Sequence, residues 1–140
     1  MTRFIIRCIL IIFPLIILPS LSFTNSGTPS VISNNPFGVI LYTVFDFFSR
    51  PENLEKITPP AMGFHIMTPK PVEMKAGAII DYTVNIMGIP ARWRTMITSY
   101  KKNQFFVDEQ LKGPYSYWHH KHSFETVEGG VNIVDDITYA

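Results

Sequence analysis

The chain is poor in charge and nearly free of cysteine. Asp, Glu, Lys and Arg make up 16 % of its 140 residues, against about a quarter in an average domain. The formal charge is +1, and the basic residues form no block. Neutralising several phosphates takes clustered Lys and Arg, so nucleic acid is not an expected partner. Cys8 stands alone, which excludes an intramolecular disulfide and a zinc ribbon. There is no internal repeat, phosphate-cradling glycine loop or nucleophile elbow, and no Ser, His and Asp in the order of a triad. Nothing in these patterns points directly to catalysis.

What is present is apolar and aromatic. Hydrophobic residues make up 46 % and aromatics 14 %, enough for one domain with a core and a lined cavity. Such a composition is not that of a disordered chain.

The N-terminus has its own character. Arg3 and Arg7 precede an apolar run from Cys8 to Leu18, followed by Ser20-Leu21-Ser22. A basic start, a short apolar stretch and small residues at alternate positions resemble a secretory signal. The run is short of the roughly 20 residues a bilayer span needs. Residues 1–22 are therefore expected to be a signal-like or membrane-anchor segment. Export or anchoring follows, with membrane association through residues 4–18. The alternative is a cytoplasmic protein with an over-extended start. Residues 23–40 read as a linker or a degenerate first strand, Phe23 to Pro36 being rich in Ser, Asn, Thr, Pro and Gly.

Leu41, Val44, Phe45 and Phe48 fall on one face of a helix. Pro51 breaks it and opens a second short helix carrying Leu54 and Ile57. Thr58-Pro59-Pro60 ends that one. Beyond Met62 the pattern is strand and turn. The expected strands are Phe64 to Pro69, Gly77 to Ile86, Arg92 to Thr98, Phe105 to Leu111, Gly113 to Phe124 and Val131 to Tyr139. Even spacing and short turns give an antiparallel meander. Glu128-Gly129-Gly130 is the last hairpin turn.

Side chains alternate faces along a strand. Trp118, His120, His122 and Phe124 therefore share one face, and His119, Lys121 and Ser123 the other. His120 and His122 stand about 6–7 Å apart at the backbone, a spacing that can serve zinc, with Asp108 as a third ligand. Zinc needs three or four ligands, and only His119 and His65 remain among the histidines. The expectation is hydrogen-bonded pocket histidines without a metal or cofactor. Tyr82 and Trp93 point inward with Val84 and Thr95. Arg92 and Arg94 flank Trp93, either as an anion clamp or as an exposed face, the latter favoured because Arg is rarely buried unpaired. For Asp108 and Gln110 alternation leaves two readings. They face the cavity with Phe106, or they face solvent while Phe105, Val107 and Leu111 turn in. Asp135 and Asp136 are adjacent on a strand and cannot form a carboxylate dyad.

Four runs together resemble one family: Val44 to Pro60 (VFDFFSRPENLEKITPP), Gly88 to Thr95 (GIPARWRT), Phe106 to Tyr115 (FVDEQLKGPY) and Trp118 to Phe124 (WHHKHSF). In this order they are similar to the SRPBCC superfamily, which includes START and Bet v 1-like proteins. Within it they resemble the bacterial ligand-binding group related to polyketide cyclases and dehydrases. The resemblance spans about residues 44–140. It implies an α+β helix-grip fold, in which a curved antiparallel sheet with two short N-terminal helices wraps a long C-terminal helix around an apolar cavity. Pro36 to Leu41 is a poor version of the family's first strand. No long helix follows Tyr139, so residues 41–140 are expected to be a C-terminally incomplete domain.

The family's Phe-x-Asp-x-Gln pattern turns Asp108 and Gln110 inward. The expected cavity lining is then Tyr82, Val84, Trp93, Thr95, Asp108, Gln110, Tyr115, Trp118, His120, His122 and Phe124. The implied function is non-catalytic binding of a lipid, isoprenoid or polyketide-like molecule. One alternative is a cyclase or dehydratase-like enzyme using the cavity His and Asp residues as acid and base. The other is a truncated fragment without function.

Overall fold

A computed structural model describes residues 1–11, 36–128 and 130–140. The described residues form seven strands and two α-helices: β1 Thr2–Ile11, α1 Pro36–Phe48, α2 Leu54–Ile57, β2 His65–Ile66, β3 Ile79–Ile86, β4 Ile89–Lys101, β5 Phe105–Lys112, β6 Trp118–Val127 and β7 Gly130–Tyr139. The strands make one antiparallel sheet in the order β1-β7-β6-β5-β4-β3-β2. From β2 to β7 this is the meander that short turns dictate. The chain is an α+β protein.

Strand β4 is the longest, and its register against β5 shifts twice, between Arg94 and Thr95 and between Ile97 and Ser99. Such irregularities bend a strand and increase its twist, and they curve the sheet around its inner face.

Helix α1 covers one end of that face. Phe45 is 1 % exposed and packs edge-on against Phe106 and Phe124, with ring centres 6.2 and 5.1 Å away. Val44, Val131 and Ile133 complete this core, flanked by Ile40, Leu41, Phe48, Met74 and Tyr100. The helical spacing of Leu41, Val44, Phe45 and Phe48 is thus the face that packs on β6 and β7. After Phe48 the chain turns into a 3₁₀ turn at Pro51–Asn53. Asn53 Nδ2 donates to the Phe47 carbonyl (2.8 Å), satisfying a group the helix end leaves open. Glu55 of α2 accepts from Ile66 N (3.0 Å) and Lys70 Nζ (2.8 Å). A carboxylate thereby ties down the short edge strand β2.

Three elements differ from the sequence reading. Pro36 to Leu41 is not a degenerate strand but the first half of α1, because Ile40 and Leu41 gain the α1 core. The strand expected from Phe64 to Pro69 shrinks to His65–Ile66. Gly113 to Tyr117 is a loop, so the long strand begins only at Trp118. Gln110 holds that loop by donating from Nε2 to the Tyr115 carbonyl (2.5 Å), and Ser116 N bonds the Ala140 carbonyl (2.9 Å).

Of the signal-like segment, Thr2–Ile11 lies along β7 as an edge strand, in register from Thr2 opposite Tyr139 to Ile11 opposite Gly130. Arg3 forms a two-pronged ion pair with Asp136, at 2.9 and 2.6 Å. Residues 12–22 and the expected linker up to residue 35 lie outside the described residues. No helix among the described residues is long and apolar enough to cross a membrane.

Candidate functional site

Four inward residues of β6 step across the inner sheet face. Phe124 lies in the core under α1. The His122 ring stacks on Phe106, centres 4.3 Å apart. His120 follows, its ring centre 3.7 Å from that of His122. Trp118 meets His120 edge-on at 6.0 Å. The wall therefore changes from aliphatic and aromatic core to a polar belt, and then to a second aromatic cluster. That cluster contains Trp93, Tyr82, Tyr115 and Tyr139 around Trp118.

The belt is completed from both neighbouring strands. Asp108 on β5 and Asp135 on β7 bracket the two imidazoles. His122 Nε2 donates to Asp108 Oδ2 (3.1 Å). Its other nitrogen, Nδ1, lies 2.7 Å from Asp135 Oδ1. His120 repeats the arrangement more loosely, with Nδ1 3.6 Å from Asp108 Oδ2 and Nε2 3.3 Å from Asp135 Oδ1. The approaches to Asp135 lack hydrogen-bond alignment. His120 Nε2 and Asp135 Oδ1 are buried atoms without an aligned partner among the described residues. Thr95 donates to the Glu109 carbonyl (2.9 Å) and lies 3.3 Å from Asp108 Oδ1.

The electrostatics follow from this bracket. Burial disfavours a charge on His122, but the hydrogen bond with Asp108 and the close carboxylates of Asp108 and Asp135 outweigh it and push its pKa up to about 9. For Asp135 burial works against ionisation, and the two histidines overcome it, holding the carboxyl well below its usual range. Burial pushes the Tyr82 hydroxyl strongly upward, so it stays protonated.

A cavity of about 170 Å³ opens between this belt and the helices. The sequence-predicted residues Tyr82, Trp93, Thr95, Asp108, Trp118, His120 and His122 line it, and Pro51, Leu54 and Met74 close the helix side. Val84, Gln110, Tyr115 and Phe124 lie outside its wall. Val84 is buried in the sheet, Gln110 holds the Tyr115 loop, Tyr115 backs Trp93 and Trp118, and Phe124 belongs to the α1 core. Trp93 Nε1 is buried without an acceptor among the described residues. Two larger depressions, of about 480 and 620 Å³, have linings of mixed polarity, and the first shares Tyr82 and Trp93 with the cavity. Arg94, on the wall of the first, is bound at both prongs to Asp81 (2.7 and 3.0 Å), so Arg92 and Arg94 form no joint clamp for an anion.

Asp108 thus faces inward. Alternation alone left its direction open because Phe106 and Val107 are both buried. Asp135 is the member of the belt that sequence reasoning passed over. Its signal was the hairpin. Val127 pairs with Gly130, and counting outward in register sets His122 opposite Asp135. Asp135 also interrupts an apolar face made by Ile133 and Ile137.

No family model matches this sequence, and no curated protein is similar to it. Solved structures are similar in fold. A protein from Mycobacterium smegmatis matches with a TM-score of 0.57 at 18 % identity, over 71 % of this chain and 65 % of its own. A Rhodobacter sphaeroides protein gives 0.56 at 16 % identity with the same coverage. This chain therefore spans a little under two thirds of the length of those two structures. An uncharacterized protein from Rhizobium leguminosarum gives 0.58 at 14 % identity, over 97 % of this chain and 74 % of that one. These likenesses show the fold: an α+β protein whose antiparallel sheet carries its helices, and here a His/Asp belt, on the inner face.

Proposed function

We propose that this chain is a helix-grip protein of the SRPBCC type, and that its cavity binds a small apolar ligand bearing one polar group. The observation that supports this is the division of the cavity wall. Tyr82, Trp93, Trp118, Ile80 and Leu54 offer apolar contact, while His120, His122, Asp108 and Thr95 converge on one side. Concave sites of this composition use the apolar wall for affinity and a few polar groups for orientation. The volume is below the 300–1,000 Å³ of drug-sized sites, so the ligand is compact.

Native mass spectrometry after incubation with a lipid and small-metabolite extract tests this. A retained small mass is expected, and it disappears in Ile80→Trp, which fills the cavity. A chain that retains nothing, or one whose retention survives Ile80→Trp, overturns the reading.

A second reading rests on the 3.1 Å hydrogen bond between His122 Nε2 and Asp108 Oδ2 inside the cavity wall. A proton shared there can be delivered to, or taken from, a bound ligand as general acid–base chemistry requires. Turnover of a retained ligand that is abolished in His122→Gln would favour this reading over simple binding.

A further inference from the structure

We propose that Asp108, His120 and His122 form a binding site for one divalent first-row transition ion, held in place by Asp135. Each of the three residues offers a donor atom, and these atoms lie within 4.8 Å of one another. Metal–ligand bonds of about 2.0–2.2 Å place neighbouring donors roughly 3.0–3.6 Å apart. Asp108 Oδ2 stands 3.1 Å from His122 Nε2 and 3.6 Å from His120 Nδ1, so two edges of such a polyhedron already exist.

The independent observation is on the far side of the two rings. A ligating histidine nearly always donates its other ring N–H to a carboxylate, carbonyl or water. With His122 Nε2 and His120 Nδ1 turned to the ion, the other nitrogens are His122 Nδ1 and His120 Nε2. Both lie close to one atom, Asp135 Oδ1, at 2.7 and 3.3 Å. His120 Nε2 and Asp135 Oδ1 are also two of the buried atoms that lack an aligned partner among the described residues. One carboxylate thus supports both ligands, and modest ring rotation on ion binding aligns these contacts.

Charge agrees with the geometry. In the metal-bound site both imidazoles are neutral, the ion having displaced any ring proton, and the two carboxylates carry −2, which a divalent cation balances. Two His and one carboxylate suit zinc, iron(II), cobalt(II) or manganese(II) better than calcium, which prefers six to eight oxygens. Three protein ligands leave a position open toward the cavity, as in reactive rather than purely structural sites. The inference does not rest on the cavity's apolar ligand. Failure of ligand retention leaves the metal stoichiometry to be read on its own.

The test is titration of chelator-stripped full chain with Co²⁺, followed by visible absorption, and with Zn²⁺, followed by calorimetry. One equivalent is expected to bind, with cobalt bands of a low-symmetry site. Asp108→Asn and His120→Gln weaken binding at least 100-fold. Asp135→Asn weakens it about 10–100-fold, the usual cost of losing an outer partner. His119→Gln, on the opposite sheet face beside Glu109, binds as the parent does. Circular dichroism on each variant separates a lost ligand from a lost fold, and Asp108→Asn, nearly isosteric, is the variant expected to retain it. No stoichiometric uptake by the parent chain, or uptake undiminished in folded Asp108→Asn, overturns the proposal.

Discussion

His122 and Asp135 face each other directly across β6 and β7, and His122 Nδ1 comes within 2.7 Å of Asp135 Oδ1. The contact lies on the sheet's inner face, where both side chains are mostly buried. It joins the last two strands at the level of the cavity and makes Asp135 part of the wall's chemistry.

In metal-free protein, Asp135→Ala removes one of the two carboxylates that hold the His122 imidazolium. Breaking one side of a buried charge contact destabilises, here by about 1–3 kcal/mol given the second partner Asp108. Urea unfolding at neutral pH measures it. An unchanged midpoint would mean that the approach contributes nothing.

Phe45→Ala empties the centre of the α1 core, between Tyr100, Phe106 and Phe124. The expected loss is about 3–5 kcal/mol, a large part of a domain's usual stability. Chemical denaturation should show the midpoint falling with no change in slope.

Glu55 confers an acid-sensitive attachment of β2. Hydrogen bonds from Lys70 and then from Ile66 N hold its pKa below the ordinary value of 4.5. A carboxylate with a depressed folded pKa adds stability above its unfolded pKa, and that contribution disappears as pH falls through the folded value. Glu55→Gln should therefore lower the melting temperature at pH 6–7 and converge with the parent below about pH 4. Parallel melting curves at every pH would contradict this.

Met87 sits at the β3–β4 turn with φ of +52° and is 97 % exposed. A side chain other than Gly, Asn or Asp is strained there, and a Met-Gly pair is a poor version of the Asn-Gly turn. Met87→Asn is expected to stabilise the chain by about 1 kcal/mol, read as a rise in melting temperature.

Much of the architecture is written locally. The spacing of Leu41, Val44, Phe45 and Phe48 dictates a helix with one apolar face. Alternation in β6 sets Trp118, His120, His122 and Phe124 on one side. The turns at Met87-Gly88 and Glu128-Gly130 join neighbouring antiparallel strands. These features depend on periods of 3.6 and 2 residues and on turn chemistry, which a single chain displays openly.

The rest needed the third dimension. Alternation could not turn Asp108 inward, because Phe106 and Val107 are both buried and the register shifts in β4 decide what lies opposite β5. Gly113 to Tyr117 read as strand until Gln110 and the Ala140 carbonyl engaged its backbone. Pro36 to Leu41 became helix because that placed Ile40 and Leu41 on a core built by β6 and β7.

The sequence by itself determined an antiparallel meander with a helix at its start and two histidines on the inner face, since each depends on neighbours a few positions away. Only the tertiary structure decided that Asp108 and Asp135, from strands on either side, close around those histidines. Register across a sheet depends on bulges and on competition for burial, and these are settled between strands, not within them.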